Sequence, residues 1–478
     1  MSGTAENATL EAAAPLSALR VLELWSRHLL VFAIPLTAAT FVWSGPHPWY
    51  VAPFFIVPLA IFQWWDTRPL FERRQPVESN SAWPFDGLVY VLAGLHFLML
   101  VGLVQLFMHQ ALFSLDMVMV LLVVGASSGF SIITAHELIH RREPAAQWLG
   151  RLMLSSVLYE HFYTEHLRGH HVRVGTPEDP ATARYGETYR EFFRRTVPGQ
   201  FRSAWALEAT RLGEPGMSLF DRRVLQNRVL HGLVLGWGIA FGILFLFGWV
   251  PFVAYLLQAF LAVRLLEVVN YFEHWGLERS GRRVQAADSW DTYSWFTYYG
   301  LVGLSRHADH HMAPSRPYQE LRVCDEAPVL PVGYVALVDM TLFNNEEFIR
   351  LAKQELEARQ LGPFATEAGR EAARGEETPS PAPSGLGAFL QGLPPLVRRV
   401  VLPGLVLLAL SLGAWVEANE VQPLLGIVFR NLVIVSVFAG LLIGHGWLDR
   451  RVHNGWISWG CAFGLLWLVG TGLKGLIG

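Results

Sequence analysis

The sequence predicts an all-α integral membrane protein: a six-helix transmembrane body with cytoplasmic, histidine-rich helical segments, followed by a three-span C-terminal appendage. Three observations carry this expectation. Of 478 residues, 52% are apolar and only 16% charged, where soluble domains carry roughly 25% charged residues. Nine stretches are long and apolar enough to cross a bilayer. Eighteen tryptophans and thirty phenylalanines suit a chain that meets lipid. The formal net charge of -3 argues against a nucleic-acid binder, which needs a broad basic face. Cys324 and Cys461 are the two cysteines and form no CxxC pair, which excludes a disulfide framework and a cysteine-ligated iron–sulfur centre.

A span needs about 20 mostly apolar residues to cross ~30 Å of hydrocarbon. Such runs occur near 28–45, 48–65, 87–108, 112–134, 230–249 and 251–270, and again near 400–416, 428–448 and 455–473. No cleavable signal is expected, because the first apolar run begins late and lacks a small-residue cleavage site. Residues 135–229 are mostly polar apart from Leu152–Tyr159, and no window between 271 and 395 is apolar enough to span. Arg20 and Arg27 precede the first run, Arg68, Arg73 and Arg74 follow the second, and Arg141 and Arg142 follow the fourth. The loops after runs one and three carry no Lys or Arg, so the N-terminus and both long polar segments are expected on the cytoplasmic side. In the C-terminal trio, Arg398, Arg399, Arg450 and Arg451 fall inside on this scheme, and Arg430 and Lys474 fall outside or at the interface. The expected organisation is an N-terminal cytoplasmic segment at 1–27, a membrane body at 28–360, a flexible Pro- and Ser-rich linker at 361–395 and an appendage at 396–478.

Three short windows, 136–140, 166–171 and 307–311, hold eight of the seventeen histidines. In His136-Glu137-Leu138-Ile139-His140 the imidazoles are four residues apart, on one face of a helix. That spacing serves a metal site and also occurs in zinc peptidases, where the glutamate is the general base. Glu165-His166-Leu167-Arg168-Gly169-His170-His171 puts His166 and His170 on a shared helical face with His171 about 100° around, so that one helix can serve two adjacent metals. Arg306-His307-Ala308-Asp309-His310-His311 repeats the device with i, i+3 and i+4 spacing. Asn270-Tyr271-Phe272-Glu273-His274 adds a ninth histidine at the inner end of the sixth run, where polar groups near lipid are costly unless used. The other eight histidines are isolated and need no function, although His161 stands close to the second window.

Nine neutral imidazoles exceed what one ion can bind. Two ions sharing nine nitrogens keep open positions for dioxygen, water or substrate. Imidazole suits iron, copper, nickel and zinc, zinc prefers four ligands and has no redox change, and the ligand number favours higher-coordinate iron. Glu137, Glu165, Glu273 and Asp309 are candidates to accept N–H bonds from ligand imidazoles and fix their tautomers, and Asn270 is a further candidate for that shell. A histidine-rich divalent-metal carrier is the alternative of a different class, but it would line a pore with its histidines.

These motifs together resemble the membrane-bound alkane monooxygenases, within the fatty acid desaturase/hydroxylase-like superfamily. Supporting stretches are Thr176-Pro177-Glu178-Asp179-Pro180-Ala181-Thr182-Ala183-Arg184 and Arg316-Pro317-Tyr318-Gln319-Glu320-Leu321-Arg322, and the match covers roughly 20–350 in one order. The resemblance implies a non-haem diiron hydroxylase using dioxygen, with no haem or flavin in this chain. Its nine ligand positions carry over to His136, His140, His166, His170, His171, His274, His307, His310 and His311. It also implies electrons from rubredoxin, supplied as a separate protein by an NAD(P)H-dependent rubredoxin reductase, an apolar substrate taken from lipid, and hydroxylation of a terminal methyl group in a bacterial inner membrane. Arg168, Arg173 and Arg184, with Arg190, Arg194 and Arg195, lie in the inner segment and can attract an acidic donor. Three features depart from the family pattern: Trp290-Asp291 where Trp-Asn is common, Ile139-His140-Arg141 where Gly-His-Lys is usual, and the three C-terminal runs. The first-box variant is closer to xylene-type methyl hydroxylases, and a fatty-acyl desaturase or hydroxylase shares the histidine boxes, so both stand as alternatives on substrate and product.

Overall fold

The computed structural model describes residues 18–47, 52–68, 70–76, 83–112, 114–279 and 281–375. The appendage at 396–478 lies outside the described residues. Within them the regular structure is helical, broken by two isolated β-bridges. Five helices are long and apolar enough to cross a membrane: α1 Val21–Ser44, then, after α2 Ala52–Asp66, α3 Trp83–Met108, α4 Asp116–Ile139 and, further on, Arg228–Phe247 and Trp249–His274. The chain is a multi-pass integral membrane protein. Between these spans come α5 Pro144–Ser155, α6 over 162–173 and α7 Tyr189–Arg211, so the last two spans are α8 and α9. The remaining helices are α10 Trp295–Gly300, α11 His307–Met312, α12 Tyr334–Phe343, α13 Asn345–Arg359 and α14 Glu367–Gly375.

Boundaries differ from the sequence reading for identifiable reasons. The first span begins before residue 28, because Arg27 stays helical and its guanidinium meets Glu23 at 2.6 Å and the Tyr299 hydroxyl at 3.4 Å. The second run yields a shorter apolar helix, Phe54–Asp66. It ends where the Asp66 carboxylate accepts hydrogen bonds from Ser294 Oγ (2.5 Å), Thr297 Oγ1 (2.8 Å) and the Val335 amide (2.7 Å). Asp66 thereby caps α12 and ties α2 to the segment leading into α10. Residues 361–375, at the start of the expected linker, form a 3-10 turn and α14, with Phe364 buried near the Tyr185 ring at 5.8 Å.

The central packing is α4 against α9. It depends on Gly125 and Gly129, whose missing side chains let the helices approach. A Cβ at Gly129 would lie 2.6 Å from Leu265 Cδ1 and 2.9 Å from its Cβ, and one at Gly125 would meet Leu261 at 2.7 Å. Gly129→Ala is therefore expected to lose about 1–3 kcal/mol, the scale of overpacking; a thermal melt of the purified variant measures it.

Candidate metal centre

Four segments bring the predicted histidines together. His136 and His140 occupy the last turn of α4, His274 is the last residue of α9, and the other two windows lie on α6 and α11. The C-terminal ends of α4 and α9 carry the negative pole of their dipoles, which favours a cation there. The nine ring nitrogens form two groups, within each of which the donor atoms lie no more than 4.8 Å apart. One comprises His136, His140, His166, His171 and His310; the other comprises His170, His274, His307 and His311.

The division within α6 differs from the expected one. His166 and His170 would share a face in a regular α-helix, but residues His166–His170 form a π turn. The wider turn carries five residues per hydrogen-bonded ring. It aligns His166 with His171, whose Nε2 atoms are 3.0 Å apart, and sends His170 to the other group. On α11, His307 and His311 pair at i, i+4 with Nε2 atoms 3.0 Å apart, while His310 turns toward the first group. The groups are neighbours: the His171 and His311 rings are 4.4 Å apart between centroids.

Nitrogen spacings test the fit to a metal. Nε2–Nε2 distances are 3.0 Å for His166–His140, 3.2 Å for His310–His171 and 3.1 Å for His307–His274. Metal–nitrogen bonds of about 2.0–2.1 Å meeting at right angles leave nitrogens about 3.0 Å apart, against about 3.4 Å in a tetrahedron. The spacing therefore lets neighbouring imidazole nitrogens in each group share one ion. Nε2 of His136 and of His170 is buried without a hydrogen-bond partner among the described residues, an arrangement that is costly unless a cation completes it. Burial first, and then neighbouring imidazoles, hold His140, His166, His171, His307, His310 and His311 well below the ordinary imidazole range. They are the neutral rings that a metal requires.

The candidate supporting residues lie in different surroundings. Glu273 Oε2 is 3.4 Å from His307 Nε2, and its Oε1 accepts from the Tyr334 hydroxyl at 2.7 Å. Glu137 meets Arg141 at 2.7 Å and Glu165 meets Arg173 at 2.8 Å; burial pushes the Glu165 carboxyl up to about 7. Asp309 is engaged by Arg316 and by the Arg322 amide at 2.9 Å. Asn270 donates to Glu267 at 3.2 Å. Among the basic candidates, Arg168 and Arg184 are exposed, with Arg168 3.4 Å from Glu208, whereas Arg173 is turned toward Glu165 and Ser203.

Two supporting residues escaped the sequence reading. Asp179 Oδ2 is 2.8 Å from His170 Nδ1 and accepts from Thr182 Oγ1 at 2.6 Å. Burial alone would raise its carboxyl, but His170 and Thr182 hold it below the ordinary range, and it fixes the ring with Nε2 aimed at the metal group. Its signal was in view, because it lies in the Thr-Pro-Glu-Asp-Pro run. Asp179→Asn is expected to weaken metal affinity about 10–100-fold, read by competition with a graded chelator. Asp291 caps α11 by accepting from the Ala308 amide at 2.8 Å, and burial pushes its carboxyl up to about 8. The cap needs one acceptor oxygen, which asparagine also offers, so this departure leaves the local geometry intact.

A cavity of about 120 Å³ opens between α1, α2, α4 and α9. Its walls are apolar, including Ile34, Phe62, Phe130, Ile133, Leu265 and Val269, and His136, His166 and His307 line it together with Asn270, Glu273 and Tyr334.

The Fatty acid desaturase family model matches residues 114–337. Alkane 1-monooxygenase 1 of Pseudomonas aeruginosa is 42% identical over 217 residues, 44% of this chain and 56% of that protein. The alkane 1-monooxygenase of Acinetobacter baylyi is 38% identical over 230 residues, covering 47% and 56%. The hydroxylase component of the xylene/toluene monooxygenase of Pseudomonas putida is 27% identical over 211 residues, covering 43% and 55%. The chain thus spans little more than half the length of the relatives it matches. Histidine pattern, helical architecture and these likenesses converge: the central part of the chain is similar to the alkane 1-monooxygenases and matches the Fatty acid desaturase family model.

Proposed function

We propose that this protein is an integral-membrane diiron monooxygenase that hydroxylates a terminal methyl group of a medium- or long-chain hydrocarbon. Dioxygen is the co-substrate, and electrons come from rubredoxin and its NAD(P)H-dependent reductase. The observation that carries this reading is the pair of convergent imidazole groups bordering an apolar cavity inside a membrane bundle. His136, His140, His166, His171 and His310 would hold one iron, and His170, His274, His307 and His311 the other. Bound there, the iron pair would supply dioxygen activation and the redox capacity for attack on an unactivated C–H bond. The chain supplies position and dryness: the apolar walls hold an alkyl chain with one end at the histidines and exclude water.

The basic residues at the histidine end, among them Arg27, Arg68, Arg73, Arg74, Arg141 and Arg142, support a cytoplasmic metal site and N-terminus in a bacterial inner membrane. On that reading α2 is a short sixth span of a body over 28–360. Arg168 and Arg184 are basic points for an acidic electron donor, and Arg173 stiffens α6 behind them.

The test combines metal analysis with product identification. The purified protein, supplied with rubredoxin, its reductase and NADH, is assayed with octane, dodecane, xylene and a fatty acid. The expected outcome is an iron pair per chain and a primary alcohol from the linear alkanes. Xylene as the preferred substrate would favour the methyl-hydroxylase reading that the xylene/toluene relative suggests. An olefin product would mean desaturation, and a protein without iron would overturn the proposal.

A further inference from the structure

Glu267 is a fully buried carboxylate on the membrane helix α9, a placement that is costly unless every oxygen is bonded. Its oxygens accept from the Tyr159 hydroxyl at 2.8 Å, from Gln200 Nε2 at 2.9 and 3.0 Å, from Thr196 Oγ1 at 3.4 Å and from Asn270 Nδ2 at 3.2 Å. The first three fasten α7 and the segment before α6 to the span. The fourth has another consequence, because Asn270 lines the cavity.

An amide has a donating end and an accepting end. A carboxylate accepts, so the Asn270 nitrogen is committed to Glu267 and its carbonyl oxygen is turned away. No described residue donates to that oxygen. Of the other polar groups at this end of the cavity, the Tyr334 hydroxyl donates to Glu273, and His136, His166 and His307 belong to the metal groups. The Asn270 oxygen is therefore an acceptor on the cavity wall that is neither a metal donor nor paired with a described donor. A C–H bond of an alkane gains little from such an acceptor, but an alcohol O–H does.

We propose that Asn270, held by Glu267, is the acceptor for the hydroxyl hydrogen of a primary alcohol whose alkyl tail fills the cavity. It is thus a product-recognition group separate from the metal donors. The inference rests on the proposed hydroxylase function and deepens it, giving the new hydroxyl a partner other than metal. Dodecane and 1-dodecanol, an alkane and alcohol of the proposed substrate class, are the probes.

The full-length protein in nanodiscs, loaded with zinc to prevent turnover, is equilibrated with radiolabelled dodecane and competed with unlabelled dodecane or 1-dodecanol. For the wild type, 1-dodecanol should compete roughly five- to tenfold better than dodecane, the scale of one net hydrogen bond. In Asn270→Leu the alcohol-to-alkane ratio should fall to about one. Glu267→Gln keeps a carbonyl oxygen that can accept from Asn270 Nδ2 as the carboxylate does, so its alcohol preference should stay near wild type. Zinc contacts with the hydroxyl are common to all three proteins and drop out of the comparison. Retained alcohol preference in an Asn270→Leu protein of wild-type thermal stability would overturn the inference. Failure of dodecane to bind would bring down the proposed function as well. Binding and hydroxylation of dodecane without alcohol preference would remove the inference alone.

Discussion

His170→Ala and His310→Ala should each abolish alkane turnover, by at least about 10³-fold, as expected for groups that act as a unit. The two substitutions differ in what they leave behind. His170 belongs to the four-histidine group, so its loss leaves three imidazoles and frees Asp179 from its ring. His310 belongs to the five-histidine group, and its loss leaves four donors. Both variants should therefore be inactive, but His170→Ala should lose the larger share of bound iron. Metal analysis beside the activity assay reads both quantities. Product formation by either variant at wild-type rate would remove that histidine from the ligand set.

Asp66→Ala should be strongly destabilising, losing about 3 kcal/mol or more, the scale of leaving several buried donors without their acceptor. The carboxylate is fully enclosed and serves two hydroxyls and the first amides of α12. Alanine leaves those donors buried without an acceptor. The effect should reach the cavity, because α12 carries Tyr334 and Val335 on its wall. A thermal melt in detergent, with dodecane binding measured alongside, tests both parts. A melting temperature within experimental error of wild type would show that α12 is held by packing alone.

The sequence exposed the spans that are apolar along their whole length, such as α3 and α4, because a bilayer demands about 20 consecutive apolar residues. It was poorer at α2, where the limit comes from a tertiary cap on Asp66 that no local pattern encodes. The histidines were legible through i, i+4 spacing, which holds for His136 and His140 and for His307 and His311. It misled at His166 and His170, since spacing assumes 3.6 residues per turn and the backbone there is wider. Glu137, Glu165 and Asp309 drew notice by standing beside histidines, yet their carboxylates face arginines. Asp179, nine residues from His170 in sequence, reaches the ring through the fold.

The widened turn in α6 amounts to one extra residue in a helix. Without it, His166 and His170 would point the same way and His171 would be stranded, leaving the two coordination shells unequally supplied. The division of the imidazoles into two groups thus hangs on a local insertion more than on the number of imidazoles the chain encodes. On the proposed diiron reading, a single-residue deletion between His166 and His171 is accordingly the shortest route from a paired centre to a solitary ion.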